Sequence, residues 1–412
     1  MKNKNIYPWV VVALLWVVAL LNYMDRQMLS TMRDAMMVDI KELELAANFG
    51  RLMAVFLWIY GLMSPVAGII ADRINRKWLI VGSLFVWSAV TLLMGYATSF
   101  DQIYILRAVM GVSEALYIPA GLSLIADYHT DKSRSLAIGI HMTGLYMGQA
   151  LGGFGATLAD NYSWEVTFHW FGLVGIIYSV VLILFLKDKK DHSVEAEKAT
   201  GSRFDLSSVF KSFTMLLTNI SFWVILIYFA APSLPGWATK NWLPTLFSEN
   251  LSMDMAQAGP LSTITIAISS FIGVIAGGIL SDRWGQRNVR GRIYTGAIGL
   301  GLTIPALLFL GMGQSFFTIL AGGVCFGIGY GIFDANNMPI LCQFISSRNR
   351  ATAYGVMNMT GVFAGAAITD VLGRSTDDGD LGQNFALLAI IVFAALAIQL
   401  LFLKPKMVDF KD

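Results

Sequence analysis

Four ionisable side chains stand inside long apolar runs: Asp25 and Arg26 toward the end of the first run, Arg107 and Glu114 within the fourth. Each such group costs roughly 2.5 to 3.5 kcal/mol at a bilayer centre, so it persists only where it is paired or used. Two uses fit these types. An arginine offers a planar carboxylate two parallel hydrogen bonds, and a carboxylate held away from water can load and release a proton. The structural alternative is a neutral network of two acids and two arginines that fixes helix register. At helical rise Asp25 lies about 26 Å along its helix from Pro8, and Arg107 about 9 Å in from Asp101, so the two reach nearly the same depth. Arg107 and Glu114 are seven residues apart, two turns on one face. The reading is a cluster from the outer third to the midplane: Arg26 for an anion, and Asp25, Glu114 and Arg107 for a travelling proton.

Other polar positions are less distinctive. Tyr23, Tyr60 and Tyr146 suit a cavity wall, where they would meet hydroxyl groups, or membrane interfaces. Trp242, with Trp237, would stack on a ring or belong to an outer aromatic belt. Lys240 is expected to snorkel to the outer water. His141 faces either the cavity or a neighbouring carbonyl, and Asp334, beside Asn336 and Asn337, needs a partner in the apolar tenth run.

The elements that must carry these residues follow from composition. Hydrophobic residues make up 56% of the 412, charged residues 14%, and mean hydropathy is +0.62. The apolar residues gather into twelve runs of roughly 18 to 25, the length that crosses about 30 Å of hydrocarbon. Numbers 8–31, 103–126, 134–158 and 315–343 are examples. The expected fold is an all-α membrane protein of twelve transmembrane helices. The first run lacks a small-residue cleavage site after a short apolar core and is expected to stay in the protein. Of the 29 Lys and Arg, 22 fall at the termini and the loops on their side, and five (Arg33, Lys41, Arg51, Lys240, Arg374) on the other. That bias predicts both termini in the cytoplasm and a multi-pass inner-membrane protein. It also explains the net charge of +2 without nucleic acid. Cys325 and Cys342 lie about 25 Å apart on one predicted helix, too far to bridge. Four His and two Cys, scattered, give neither a nucleophile with its base nor metal-ligand spacing. Hence no enzyme, metal or cofactor is expected.

A polar stretch ending near Lys211 divides the chain into residues 1–187, a six-helix bundle; 188–212, a cytoplasmic linker; and 213–412, a second bundle. Phe204, Val209, Phe210 and Phe213 suggest an amphipathic surface helix there. A signature recurs after the second and eighth runs: Gly68, Asp72, Arg73, Arg76 in G-I-I-A-D-R-I-N-R-K, and Gly278, Asp282, Arg283, Arg287 in G-I-L-S-D-R-W-G-Q-R. This pair resembles the loop motif of the major facilitator superfamily over the whole chain. The resemblance implies two pseudo-symmetric bundles and a cytoplasmic latch used in alternating access. Asn75 stands where the family usually has glycine, and Asn tolerates left-handed backbone.

NYMDRQ, Arg107-x-x-x-Gly111-x-x-Glu114 followed by IPAG, NWLPTLF and YGVMNMTG together resemble the organic anion to cation symporters. That resemblance implies Asp25 and Glu114 as protonation sites, Arg26 as the substrate-anion contact, Arg107 as a coupling arginine and Asn358 as a sugar ligand. ADRINRKWLIVGSLFVWSAVTLL and GVSEALY are similar to spinster-type lipid transporters. The expectation is a monomeric, cation-coupled carrier of a small organic anion such as a hexuronate, driven by H+ or Na+. The alternatives are a lysolipid transporter and a neutral-sugar carrier.

Overall fold

A computed structural model describes residues 6–129, 133–189, 218, 220–345 and 350–403. The expected linker helix and the boundary at 212 lie outside them. The described chain is almost entirely helical, and eleven of its helical spans are long and apolar enough to cross a membrane. In order the first part contains α1 (Tyr7–Leu29), α2 (Arg33–Met36), a 3-10 turn (Lys41–Glu44), α3 (Ala46–Arg73), α4 (Arg76–Met94), α5 (Phe100–Ala115), α6 (Tyr117–Tyr128), α7 (Arg134–Gly152), α8 (Gly155–Asn161) and α9 (Trp164–Phe185). The second contains α10 (Ile220–Leu251), α11 (Met255–Gly285), α12 (Gly291–Met312), α13 (Phe316–Asp334), α14 (Asn337–Phe344), α15 (Arg350–Asp377) and α16 (Leu381–Phe402).

The pairs α5–α6 and α13–α14 each make one interrupted span, Phe100–Tyr128 and Phe316–Phe344. The fifth expected span corresponds to α7, which is not among the eleven because His141, Thr143, Gln149 and its glycines dilute its apolar character. It is held by shape instead. Gly144, Gly148 and Gly152, spaced by four, bring its backbone against the carbonyls of Trp16, Leu20 and Met24 on α1. Small residues on one stripe let membrane helices approach where hydrophobicity alone gives no drive to associate.

Three of the described helices start on a local side-chain cap. Asn75 Oδ1 accepts from Trp78 N at 3.2 Å, and Ser163 and Ser315 cap α9 and α13 in the same way. The backbone of Asn75 is not left-handed (φ −54°, ψ 117°), so its part in the motif is that of an N-cap for α4.

Among the described residues the hydrogen bonds joining the first six spans to the last six gather at the end away from the termini. Asp377 of α15 accepts from Ala46 N at 2.7 Å and Ala47 N at 2.8 Å, capping the start of α3. Thr157 donates to Ala256 O, Thr263 to Ala150 O, and Gln27 to Lys240 O. At the opposite end Gly68 and Gly278 have no atom within 4 Å of where a β-carbon would stand. These two glycines therefore make no close helix contact, and this conformation is joined at one end and, among the described residues, parted at the other.

Candidate functional site

The α1 helix brings Asn22 and Arg26, one turn apart on one face, against the end of α5. Arg26 Nε donates to Glu114 Oε2 at 2.5 Å, and Asn22 Nδ2 donates to the same oxygen at 3.0 Å. The Glu114 side chain is fully buried, whereas 11% of the Arg26 side chain remains exposed. The pair is thus sealed on its acidic side, and the arginine is its less buried member. Three aromatic rings surround that arginine: its guanidinium carbon stands 5.2 Å from the Tyr23 ring, 4.8 Å from Phe56 and 4.6 Å from Tyr60. Attraction of a cation to a ring face supports it without neutralising it.

Phe56 also receives Arg107 at 4.6 Å, so one ring separates the two guanidiniums. Arg107 is buried, with a donor turned to Met110 Sδ. Asp25, next to Arg26 but turned about 100° around the helix, points instead toward α4. Its carboxylate accepts from Thr91 Oγ1 at 3.4 Å, but that hydroxyl also reaches Trp87 O at 3.0 Å. With one proton to give, Thr91 serves the nearer carbonyl and leaves Asp25 weakly held. Asp25 Oδ1, Arg26 Nη2, Arg107 Nε and Glu114 Oε1 find no protein partner. The structure therefore brings the four expected groups together, with Asp25, Arg107 and Glu114 buried and Arg26 the least buried of the four.

Beside this cluster, past Tyr23, lies a cavity of about 80 Å³ between α1, α7, α10, α11 and α13. Tyr23 and Tyr146 line it as expected, while Tyr60 presses on Arg26 and Asn358, half-buried on α15, lies outside the lining. Two further corrections concern α10. Trp242 is fully buried, its indole N–H donating to Thr369 O at 3.0 Å, so it packs α10 against α15 instead of facing a ligand. Lys240, expected to reach the outer water, points into the cavity, its Nζ 4.6 Å from the Trp237 ring and 5.9 Å from the Tyr23 ring. Asp334 lines the same cavity, exposed to it, with Asn337 Nδ2 donating to one oxygen at 3.1 Å. His141 is buried beside Tyr117, away from the cavity.

Glu114 and Asp334 occupy matching places. Each stands where its span breaks, between α5 and α6 or between α13 and α14. Each is followed by Ala and, five residues on, by proline: E-A-L-Y-I-P with Pro119 and D-A-N-N-M-P with Pro339. A proline inside a helix removes one i to i−4 bond and crowds the preceding turn, so the helix parts there. This repeat was the signal for Asp334 in the sequence, as the four-residue spacing to Arg26 was for Asn22.

The motif residues sit at the parted end. Arg76 forms an ion pair with Asp127 of α6. Asp282 is largely exposed, 3.8 Å from Arg292, and Arg283 and Arg287 are exposed. The side chains of Asp72 and Arg73 lie outside the described residues. Arg76 and Asp282 each bind within their own set of six spans, so neither of them forms a latch in this conformation. Among the described residues no cluster of His, Cys, Asp and Glu suits a metal ion.

The sequence pattern of the Major Facilitator Superfamily matches residues 15–369. The hexuronate transporter of Bacillus subtilis (strain 168) is 24% identical over 402 residues, covering 89% of this chain and 91% of that protein. The 4-hydroxybenzoate transporter PcaK of Pseudomonas putida is 26% identical over 440 residues, covering 95% and 91%. In fold, a bacterial homolog of the human lysosomal transporter Spinster, in an inward-facing and occupied conformation, matches with a TM-score of 0.79 at 19% identity over 97% of each chain.

Proposed function

Since the chain belongs to the Major Facilitator Superfamily, we propose that it is a secondary transporter that couples uptake of a small organic anion, a hexuronate or related sugar acid, to entry of a proton. One observation carries the reading. Arg26 is shared: its Nε is held by a sealed carboxylate, and its guanidinium rests on the ring of Tyr23, which lines the cavity. The relatives named for transport of hexuronate and of 4-hydroxybenzoate agree in substrate charge.

The coupling follows from competition. While Glu114 is ionised it holds Arg26, and a substrate carboxylate meets a cation already neutralised. Protonation of Glu114 releases the guanidinium, which then pairs bidentately with the substrate. Substrate and proton thus favour one another, as linkage requires of two ligands acting on one group. Asp25, with one oxygen unpartnered, offers a second place for the proton on its way. Arg107, on the far side of Phe56, keeps the vacated region positive.

Movement then carries the loaded site across. In this reading residues 1–187 and 213–412 rock as two bundles about the cavity, joined by the linker 188–212. The termini face the cytoplasm of a cell whose inner membrane holds the protein as a monomer. With the termini on that side, the end joined by Asp377 lies outside, and this reading makes the conformation inward-facing.

Purified protein in liposomes tests the reading. Labelled D-glucuronate should accumulate against its gradient when the side of entry is made acid, and should not when a sodium gradient replaces the pH gradient. Accumulation that ignores pH, or transport of lysolipid or glucose in place of the acid, would overturn it.

A further inference from the structure

Lys240 and Asp334 take no part in the coupling described, yet both line the cavity. Their placement repeats that of Arg26 and Glu114. In the first six spans a cation on the first helix meets a carboxylate at the break in the fourth. In the last six a cation on the first helix, α10, faces a carboxylate at the corresponding break, between α13 and α14, marked by the same proline spacing. The difference lies in closure. Arg26 and Glu114 bond at 2.5 Å. Lys240 and Asp334, both described, do not approach within the 4.0 Å of an ion pair. Lys240 rests on the Trp237 and Tyr23 rings, and Asp334 is steadied on one oxygen by Asn337.

We infer that Lys240 and Asp334 form a hydroxyl-reading dyad, the second half's counterpart of the Arg26–Glu114 pair held open so that a substrate hydroxyl bridges it. A hydroxyl accepts one hydrogen bond and donates another, so it satisfies the ammonium and the carboxylate together. A bare methylene leaves both unpaired, and a site built to bond a hydroxyl rejects an analogue lacking it by a large factor. A second carboxylate at this place meets Asp334 as a like charge. Arg26 and Lys240 both stand within 6 Å of the Tyr23 ring, which places them at most about 11 Å apart. A six-carbon acid spans that interval, with its carboxylate at Arg26 and a distal hydroxyl at the dyad. The substrate class is thereby narrowed to polyhydroxylated monoanions. This inference rests on the anion reading of Arg26 for its geometry, and the experiment below separates the two.

Dissociation constants of D-glucuronate, hexanoate and D-glucose are measured on the purified full chain and on its Lys240→Met and Asp334→Asn variants. The wild type should prefer glucuronate over hexanoate. Each variant should lower that preference at least tenfold while still binding hexanoate, which also shows that the site is still folded. A preference unchanged in both variants overturns the dyad. Failure of the anion reading has a different signature: the wild type binds glucose as well as glucuronate. In that event a tenfold loss of glucose affinity in both variants supports the dyad, and unaltered glucose affinity overturns it.

Discussion

Replacing Glu114 with Gln perturbs one atom pair and separates binding from coupling. The amide keeps an oxygen for Arg26 Nε and Asn22 Nδ2, now held at 2.5 Å and 3.0 Å, but it removes the charge and can no longer lose or gain a proton. A charge-assisted hydrogen bond is worth about 1.5 to 3 kcal/mol against about 1 for a neutral one, so roughly 1 kcal/mol of competition for Arg26 disappears. Substrate affinity at neutral pH should rise about fivefold, since 1.4 kcal/mol corresponds to a factor of ten. Driven transport behaves oppositely. For one proton per monoanion, each pH unit across the membrane supplies about 1.4 kcal/mol and supports roughly tenfold accumulation. The wild type should reach that ratio in liposomes with a one-unit gradient, and Glu114→Gln should stop at unity while still exchanging labelled for unlabelled glucuronate. Tenfold accumulation by the variant would refute the assignment of the coupling proton to Glu114. Loss of exchange together with accumulation would refute the claim that substrate binding and movement survive without the charge on that carboxylate.

Three further outcomes follow from the packing. Asp377→Ala removes a cap worth about 1 kcal/mol from the start of α3, and distance measurements between spin labels at the outer ends should show the outward-open population rise about fivefold. Gly148→Val drives a side chain into the backbone carbonyl of Leu20 and should lower thermal stability by about 1 to 3 kcal/mol, whereas Gly301→Ala, with open space around it, should leave the melting temperature unchanged or higher. Trp242→Phe should cost about 1 kcal/mol of stability through the lost bond to Thr369 and keep glucuronate affinity within twofold; a tenfold loss at normal stability would return Trp242 to the binding site.

The membrane fold was legible because length and apolar content are local properties of a run, and the charge cluster because an ionised group in such a run needs a reason to be there. Depth along a helix also follows from counting, which is why Asp25, Arg26, Arg107 and Glu114 meet. Direction around a helix is harder. On α10 the three prolines, Pro232, Pro235 and Pro244, make azimuth depend on how each kink resolves, and Lys240 turned inward where Trp242 turned into the packing. Burial is harder still: Arg107 and Arg26 are both covered by Phe56, an ordinary core residue in the sequence. Gly68 and Gly278 illustrate another limit. In a transporter one sequence must encode more than one arrangement, and a residue that packs tightly in one of them stands open in another.

The central claim is that an anion and a proton are bound through one shared arginine. The number of protons taken up when D-glucuronate binds the purified protein tests it most directly, measured by titration calorimetry at neutral pH in buffers of differing ionisation enthalpy. Competition between Glu114 and the substrate for Arg26 predicts an uptake approaching one proton per molecule bound, abolished by Glu114→Gln. Binding with no proton exchanged, or exchange that survives in Glu114→Gln, would contradict it.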